Sequence, residues 1–172
     1  NLYNKKDLEE IKLQKTNIEQ NRNIKKILIL GPKKRNLKIG KFLIWKKYKI
    51  IFNNKKIDLN FLMKNKIQYI ISSGYPYKID KSITKFFKGK IINLHATFLP
   101  WGKGIGTTFI SFLLFQPTGV SIHHINSEYD KGDIICRYSV KPKKNDTTRT
   151  FYAKLLEKLE KIFIMNYKNI IE

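Results

Sequence analysis

Short, uniformly apolar runs recur along this 172-residue chain and leave few folds open. Ile27 to Leu30, Tyr48 to Phe52, Gln68 to Ile71 and Lys90 to Leu94 are rich in β-branched and aromatic residues and do not alternate with polar ones. A strand with one wet face alternates, whereas an unbroken apolar run is buried on both faces, as in a parallel strand between two layers of helix. Between the runs, Leu37 to Lys46, Leu59 to Lys64 and Ser82 to Phe87 have the spacing of helices. The repetition predicts an α/β fold with a doubly wound, mostly parallel sheet.

After Pro100 the order changes. An apolar helical stretch from Thr107 to Phe115 is broken by Pro117, and two further runs follow, Val120 to Ile125 and Ile134 to Val140, joined by the polar connection Asn126 to Asp133. So short a link allows only antiparallel pairing, because a parallel return needs about a dozen residues. The sheet is therefore expected to carry an antiparallel hairpin on its C-terminal side. Beyond a turn at Pro142 to Asn145, Thr147 or Thr148 can cap a closing amphipathic helix over Phe151 to Ile164. Residues 1–24 are polar, with scattered apolar positions, and read as an arm or short helix ahead of one domain over 25–172.

Net charge is +22, from 31 Lys and 4 Arg against 13 acidic residues. Ile and Asn are in similar excess, and neither binds phosphate, so the lysines belong to a bias of the whole composition. The charge is also concentrated in residues 1–90, while 91–140 is neutral. A solvated lysine-rich exterior therefore outweighs a nucleic-acid face, and a nonenzymatic basic protein binding nucleic acid through residues 25–49 is the competing class. No window reaches the roughly 18 apolar residues of a membrane span. The single Cys136 cannot form an internal disulfide, which makes a reducing cytoplasm the expected setting.

The neutral segment holds the chemistry. In NLHATFLP, residues 93–100, Asn93 and His95 lie two apart at the carboxyl end of a strand, so both side chains share one face. Open α/β sheets place their ligands at those carboxyl ends. In GVSIHHINSEYDKGDII, residues 119–135, a strand ends at His123 and the loop beyond it carries Asp130. A carboxamide, an imidazole and a carboxylate suit acyl transfer to an amine, in which an oxyanion is stabilised and a proton leaves the attacking nitrogen. Three histidines and one cysteine show no metal-ligand spacing, so no metal is expected.

The pattern Asn-x-His, then Leu-Pro, then Gly-Val-Ser-Ile-His with Asp130 seven residues later and Gly132 beyond it, resembles the N10-formyltetrahydrofolate-dependent formyltransferases over residues 67–140. That resemblance implies that Asn93, His95 and Asp130 are catalytic and that N10-formyltetrahydrofolate is the formyl donor. The segment SSGYPYKI, residues 72–79, is similar to the stretch lining the folate pocket of that family. It assigns Tyr75, Tyr77, Lys78 and Ile79 to folate, with Ser127 and Glu128 from the later loop. The family mechanism implies that Asn93 and a protonated His95 hold the oxyanion while Asp130 takes the amine proton and keeps His95 charged. His123 is assigned to acceptor binding, with support of the triad as the alternative. LPWGKG, residues 99–104, looks most like the sugar-nucleotide branch, which makes a nucleotide-linked amino sugar the expected acceptor, with glycinamide ribonucleotide second. Lys33 and Arg35, in the loop expected after the first strand, and Lys103 would meet its phosphates. A homodimer is left open as a further partner.

Overall fold

The computed structural model describes residues 25–171, apart from positions 103, 105, 106, 115 and 129. The expected N-terminal arm and Lys103 thus lie outside the described residues. Six strands form one sheet: β1 (Lys26–Leu30), β2 (Lys49–Asn53), β3 (Tyr69–Ser72), β4 (Ile91–His95), β5 (Gly119–His124) and β6 (Ile134–Ser139). Their order is β2-β1-β3-β4-β5-β6. The first four run parallel, β5 runs antiparallel to β4, and β6 runs antiparallel to β5. The five described helices are α1 (Lys33–Trp45), α2 (Leu59–Lys64), α3 (Lys81–Phe86), α4 (Thr107–Leu113) and α5 (Thr148–Ile171). None is long and apolar enough to cross a membrane.

β1 shows why the apolar runs do not alternate. Ile27, Leu28, Ile29 and Leu30 are all fully buried, but they serve two cores. Ile27 and Ile29 pack with Ile39 and Leu43 of α1 and with Phe151, Leu155 and Leu159 of α5. Leu28 and Leu30 pack on the other face with Leu62 of α2, Ile83 of α3 and Phe87. Each side chain of the strand is thereby removed from water, worth about 1.5–3 kcal/mol for a large aliphatic residue.

Two helices extend beyond the spans that apolar spacing predicts. α1 begins at Lys33, directly after Pro32, so the expected loop at Lys33 to Asn36 is in fact the first helical turn. Its buried residue is polar, which hid it: Asn36 is 1% exposed and donates through Nδ2 to the carbonyls of Pro32 and Ser73, both at 3.1 Å. α5 runs on to Ile171. Tyr69 Oη donates to the Ile170 carbonyl at 2.6 Å and Lys25 Nζ to the Ile171 carbonyl at 3.3 Å, so side chains occupy carbonyls that a helix end leaves open. At the other end Thr147 caps α5, its Oγ1 accepting from the Thr150 amide at 3.2 Å.

The strand order reverses at β1 and β3, which opens a crevice at their carboxyl ends, the place where such sheets bind ligands. β4 delivers its last residues to the same rim. The segment after β4 is pinned from two strands. Ser121 Oγ accepts from the Leu99 amide at 3.0 Å and donates to the Thr97 carbonyl at 2.8 Å, while Arg137 Nη1 donates to the Leu99 carbonyl at 2.6 Å.

Candidate active site

Asn93 and His95 stand two residues apart on β4, and antiparallel register sets Asn93 opposite His123 and His95 opposite Ser121 on β5. A bulge at Ile122/His123 in the pairing of β5 with β6 bends the strand there, a common way to re-aim a side chain. The loop after β5 returns Asp130 to the two imidazoles. Asp130 has φ of 49° and accepts the Gly104 amide on Oδ2 at 2.9 Å. Its Oδ2 lies 3.6 Å from His95 Nε2 and its Oδ1 3.5 Å from His123 Nε2. One carboxylate thus spans two histidine rings, which meet edge to face at 5.9 Å.

The network fixes where the protons sit. His95 Nε2 faces the Gly102 carbonyl at 3.3 Å and the Asp130 carboxylate, both acceptors, so this nitrogen carries hydrogen and Nδ1 holds the lone pair of the neutral ring. Burial pushes the His95 pKa down. Asp130 and the Gly102 bond act the other way without reversing the direction, and His123 and Arg35 add to the fall. Burial thus works against the protonated His95 that the family resemblance implies. For Asp130, burial would raise the carboxyl, but contact with His123, the charge of His95 and the Gly104 amide bring it down to about 2.

These groups line a cavity of about 400 Å³. Its other walls come from the carboxyl end of β3, from residues 74–79, from the 125–130 loop, and from Arg35 and Tyr152. A volume of this size and a mixed polar and apolar lining suit a small organic ligand. Among the described residues no cluster of His, Cys, Asp and Glu has an arrangement that could hold a metal ion.

A family model described as formyl transferase matches residues 33–166, most of the chain. The chain belongs to this family. Among solved structures, the formyltransferase PseJ from Anoxybacillus kamchatkensis is 39% identical, with a TM-score of 0.78 over 84% of this chain and 76% of its own; that protein was crystallised with UDP-4,6-dideoxy-4-formamido-L-AltNAc and tetrahydrofolate. Phosphoribosylglycinamide formyltransferase from Streptococcus pneumoniae TIGR4 shares the fold at 17% identity and a TM-score of 0.72, over 87% of this chain and all of its own (100%). Among curated relatives, the bifunctional polymyxin resistance protein ArnA of Wigglesworthia glossinidia brevipalpis is 33% identical over 76% of this chain, and methionyl-tRNA formyltransferase of Buchnera aphidicola is 34% identical over 70%. The chain spans only 19% of the first and 41% of the second.

Of the residues that the sequence singles out, Asn93, His95, His123, Asp130, Tyr75, Tyr77, Lys78, Ile79, Ser127, Glu128 and Arg35 all line the one cavity. Lys33 does not join them. Two residues of helix, a rotation of about 200°, separate its direction from that of Arg35, and its ammonium sits over the Phe52 ring, 5.7 Å from the centroid, against β2. The assignment of Lys33 to acceptor phosphate is corrected accordingly. Two features escape a reading of motifs. Tyr152 belongs to the first turns of α5, far along the chain, and the Gly104 amide acts through its backbone. The apolar stripe of the last helix hints at Tyr152 only in that it packs this helix on the sheet, and no side-chain pattern points to the Gly104 amide.

Proposed function

We propose that this chain transfers a formyl group from N10-formyltetrahydrofolate to a primary amine carried on a nucleotide-linked amino sugar. The observation that carries this reading is the Asn93–His95–Asp130 constellation lining one cavity, a carboxamide, an imidazole and a carboxylate, with His95 Nε2 3.6 Å from Asp130 Oδ2. The 39% identity to a protein crystallised with tetrahydrofolate and a UDP-linked formamido sugar supports both donor and acceptor class. Tyr75 and Tyr77, edge to face at 5.4 Å, with Ile79 and the 125–128 backbone, supply the flat apolar walls and polar edges that a pterin needs. The donor supplies an electrophilic formyl carbon and a leaving nitrogen.

The chain's own groups then have distinct tasks. An Asn93 amide N–H meets the negative charge that develops on the formyl oxygen. Neutral His95, through Nδ1, takes the proton that the attacking amine loses and returns it to the leaving nitrogen. Asp130, ionised well below neutral pH, steadies the imidazolium while it exists. A base with a lowered pKa offers a lone pair for the incoming proton, which a protonated ring does not.

Incubating the purified chain with N10-formyltetrahydrofolate and a panel of amines tests the reading. The panel should include UDP-linked amino sugars, glycinamide ribonucleotide and methionyl-tRNA. Formylation of a sugar nucleotide is the expected outcome, and no formylated product from any amine overturns the reading. Folate binding that survives added salt, in contrast to the steep fall of phosphate-driven binding, separates it from the nucleic-acid class.

A further inference from the structure

His123 is more deeply buried than the two groups beside it, with its side chain 2% exposed against 16% for His95 and 11% for Asp130. A side chain so placed has little surface left for an acceptor, and both ring nitrogens are engaged. Nδ1 lies 2.8 Å from the carbonyl of His124, an acceptor only, so Nδ1 carries hydrogen. In the neutral ring Nε2 is then an acceptor. It lies 3.3 Å from Asn93 Nδ2, which requires the Asn93 amide to present nitrogen, not oxygen, to the ring.

We propose that His123 is a positioning residue, whose neutral Nδ1-protonated ring takes one N–H of the Asn93 carboxamide and leaves the second for the formyl oxygen. This inference rests on the formyl-transfer reading and deepens it. A primary amide rotates and flips readily unless something tells its nitrogen from its oxygen. Without His123 the carboxamide could present its oxygen to the developing oxyanion, which would repel it. With His123 neutral, the wrong orientation sets two acceptors against each other at 3.3 Å.

The test has a spectroscopic and a kinetic arm. Long-range nitrogen–proton NMR of the wild-type chain should report the Nδ1–H tautomer for His123 at neutral pH. Finding the Nε2–H tautomer overturns the proposal whatever the activity. In kinetics with N10-formyltetrahydrofolate and the amine that the wild type formylates, His123→Leu should lower kcat by roughly tenfold to a hundredfold with little change in either KM, the mark of an interaction used in the transition state. His123→Gln, whose carbonyl oxygen can replace Nε2 as acceptor, should restore much of kcat. Leu and Gln variants that are equally impaired, or a Leu variant with normal kcat, overturn the proposal. A wild-type chain that formylates no amine instead overturns the functional reading, and the tautomer then still decides the contact.

Discussion

Arg35 crosses the face of Gly74 to reach Tyr152, its Nη1 donating to the Tyr152 hydroxyl at 2.7 Å. A Cβ on Gly74 would stand 2.5 Å from that same Nη1, and Gly74 has φ of +70°, so a side chain there would be strained and would push the guanidinium aside. The contact ties the first turn of α1 to the first turns of α5 across the cavity wall and brings a fixed cation towards His95. If the acceptor carries a diphosphate, Arg35 is a cation on the cavity wall that can meet it, and a charge-assisted hydrogen bond of that kind is worth about 1.5–3 kcal/mol. Arg35→Ala should therefore raise the acceptor KM by roughly tenfold to a hundredfold, with the folate KM nearly unchanged. Lys33→Ala, pointing at Phe52, should leave both constants alone. Steady-state kinetics of the two variants checks this, and equal effects would remove the distinction between them.

Each of Asn93→Ala, His95→Ala and Asp130→Ala should cost at least about a hundredfold in kcat, because each removes a group that meets charge or a proton in the transition state. The three variants should keep the far-ultraviolet circular dichroism of the wild type. Their side chains lie at the rim of the sheet, not in either apolar core. Near-normal rates in all three would falsify the assignment.

Much of this fold is legible in the sequence because burial on both faces writes itself into composition. β1 is visible as a run of Ile and Leu since neither of its faces meets water. The site is legible for a related reason: Asn93 and His95 occupy alternate positions at a strand end, and strand geometry dictates that they share a face. What is not legible depends on polar burial and on distance along the chain. Asn36 conceals the first turn of α1, since a carboxamide that satisfies two carbonyls looks in sequence like a loop residue. The lowered pKa of His95 is likewise hidden, because it depends on how far burial outweighs Asp130, and spacing says nothing of depth.

That balance gives a prediction for stability against pH. The folded chain holds His95 below its ordinary pKa, so the unfolded chain binds more protons over the window from about 6.5 down to the lowered value, and stability falls as pH drops through it. Asp130 acts in a lower window. Its contribution is present above the ordinary carboxylate value of 3.8 and is lost as pH falls towards about 2. Urea midpoints measured across pH should show His95→Gln removing part of the first slope and Asp130→Asn part of the second. A His95→Gln profile parallel to the wild type between pH 6.5 and the acid range would show that His95 is not held neutral by burial.

Gly132, the glycine that closes the Asp130-Lys131-Gly132 turn, tests how the loop supports the site. A Cβ at this position would lie 1.8 Å from the His124 carbonyl oxygen and 2.6 Å from its carbon, closer than backbone atoms can tolerate, so one of the two segments must move. The carbonyl under pressure is the acceptor that holds the proton of His123 Nδ1. The same stretch is paired through the His124 amide, which donates to the Asp133 carbonyl at 2.9 Å, so the strain cannot relax without loosening the base of the 125–133 loop. Gly132→Ala should therefore act in two ways. Overpacking against backbone should lower stability by about 1–3 kcal/mol, read as a lower urea midpoint. Displacement of Asp130 and of the His123 hydrogen bond should lower kcat beyond what His123→Leu does alone, since both supports of the site are affected. A variant that loses stability but keeps normal kcat would show that the loop carries Asp130 independently of its glycine.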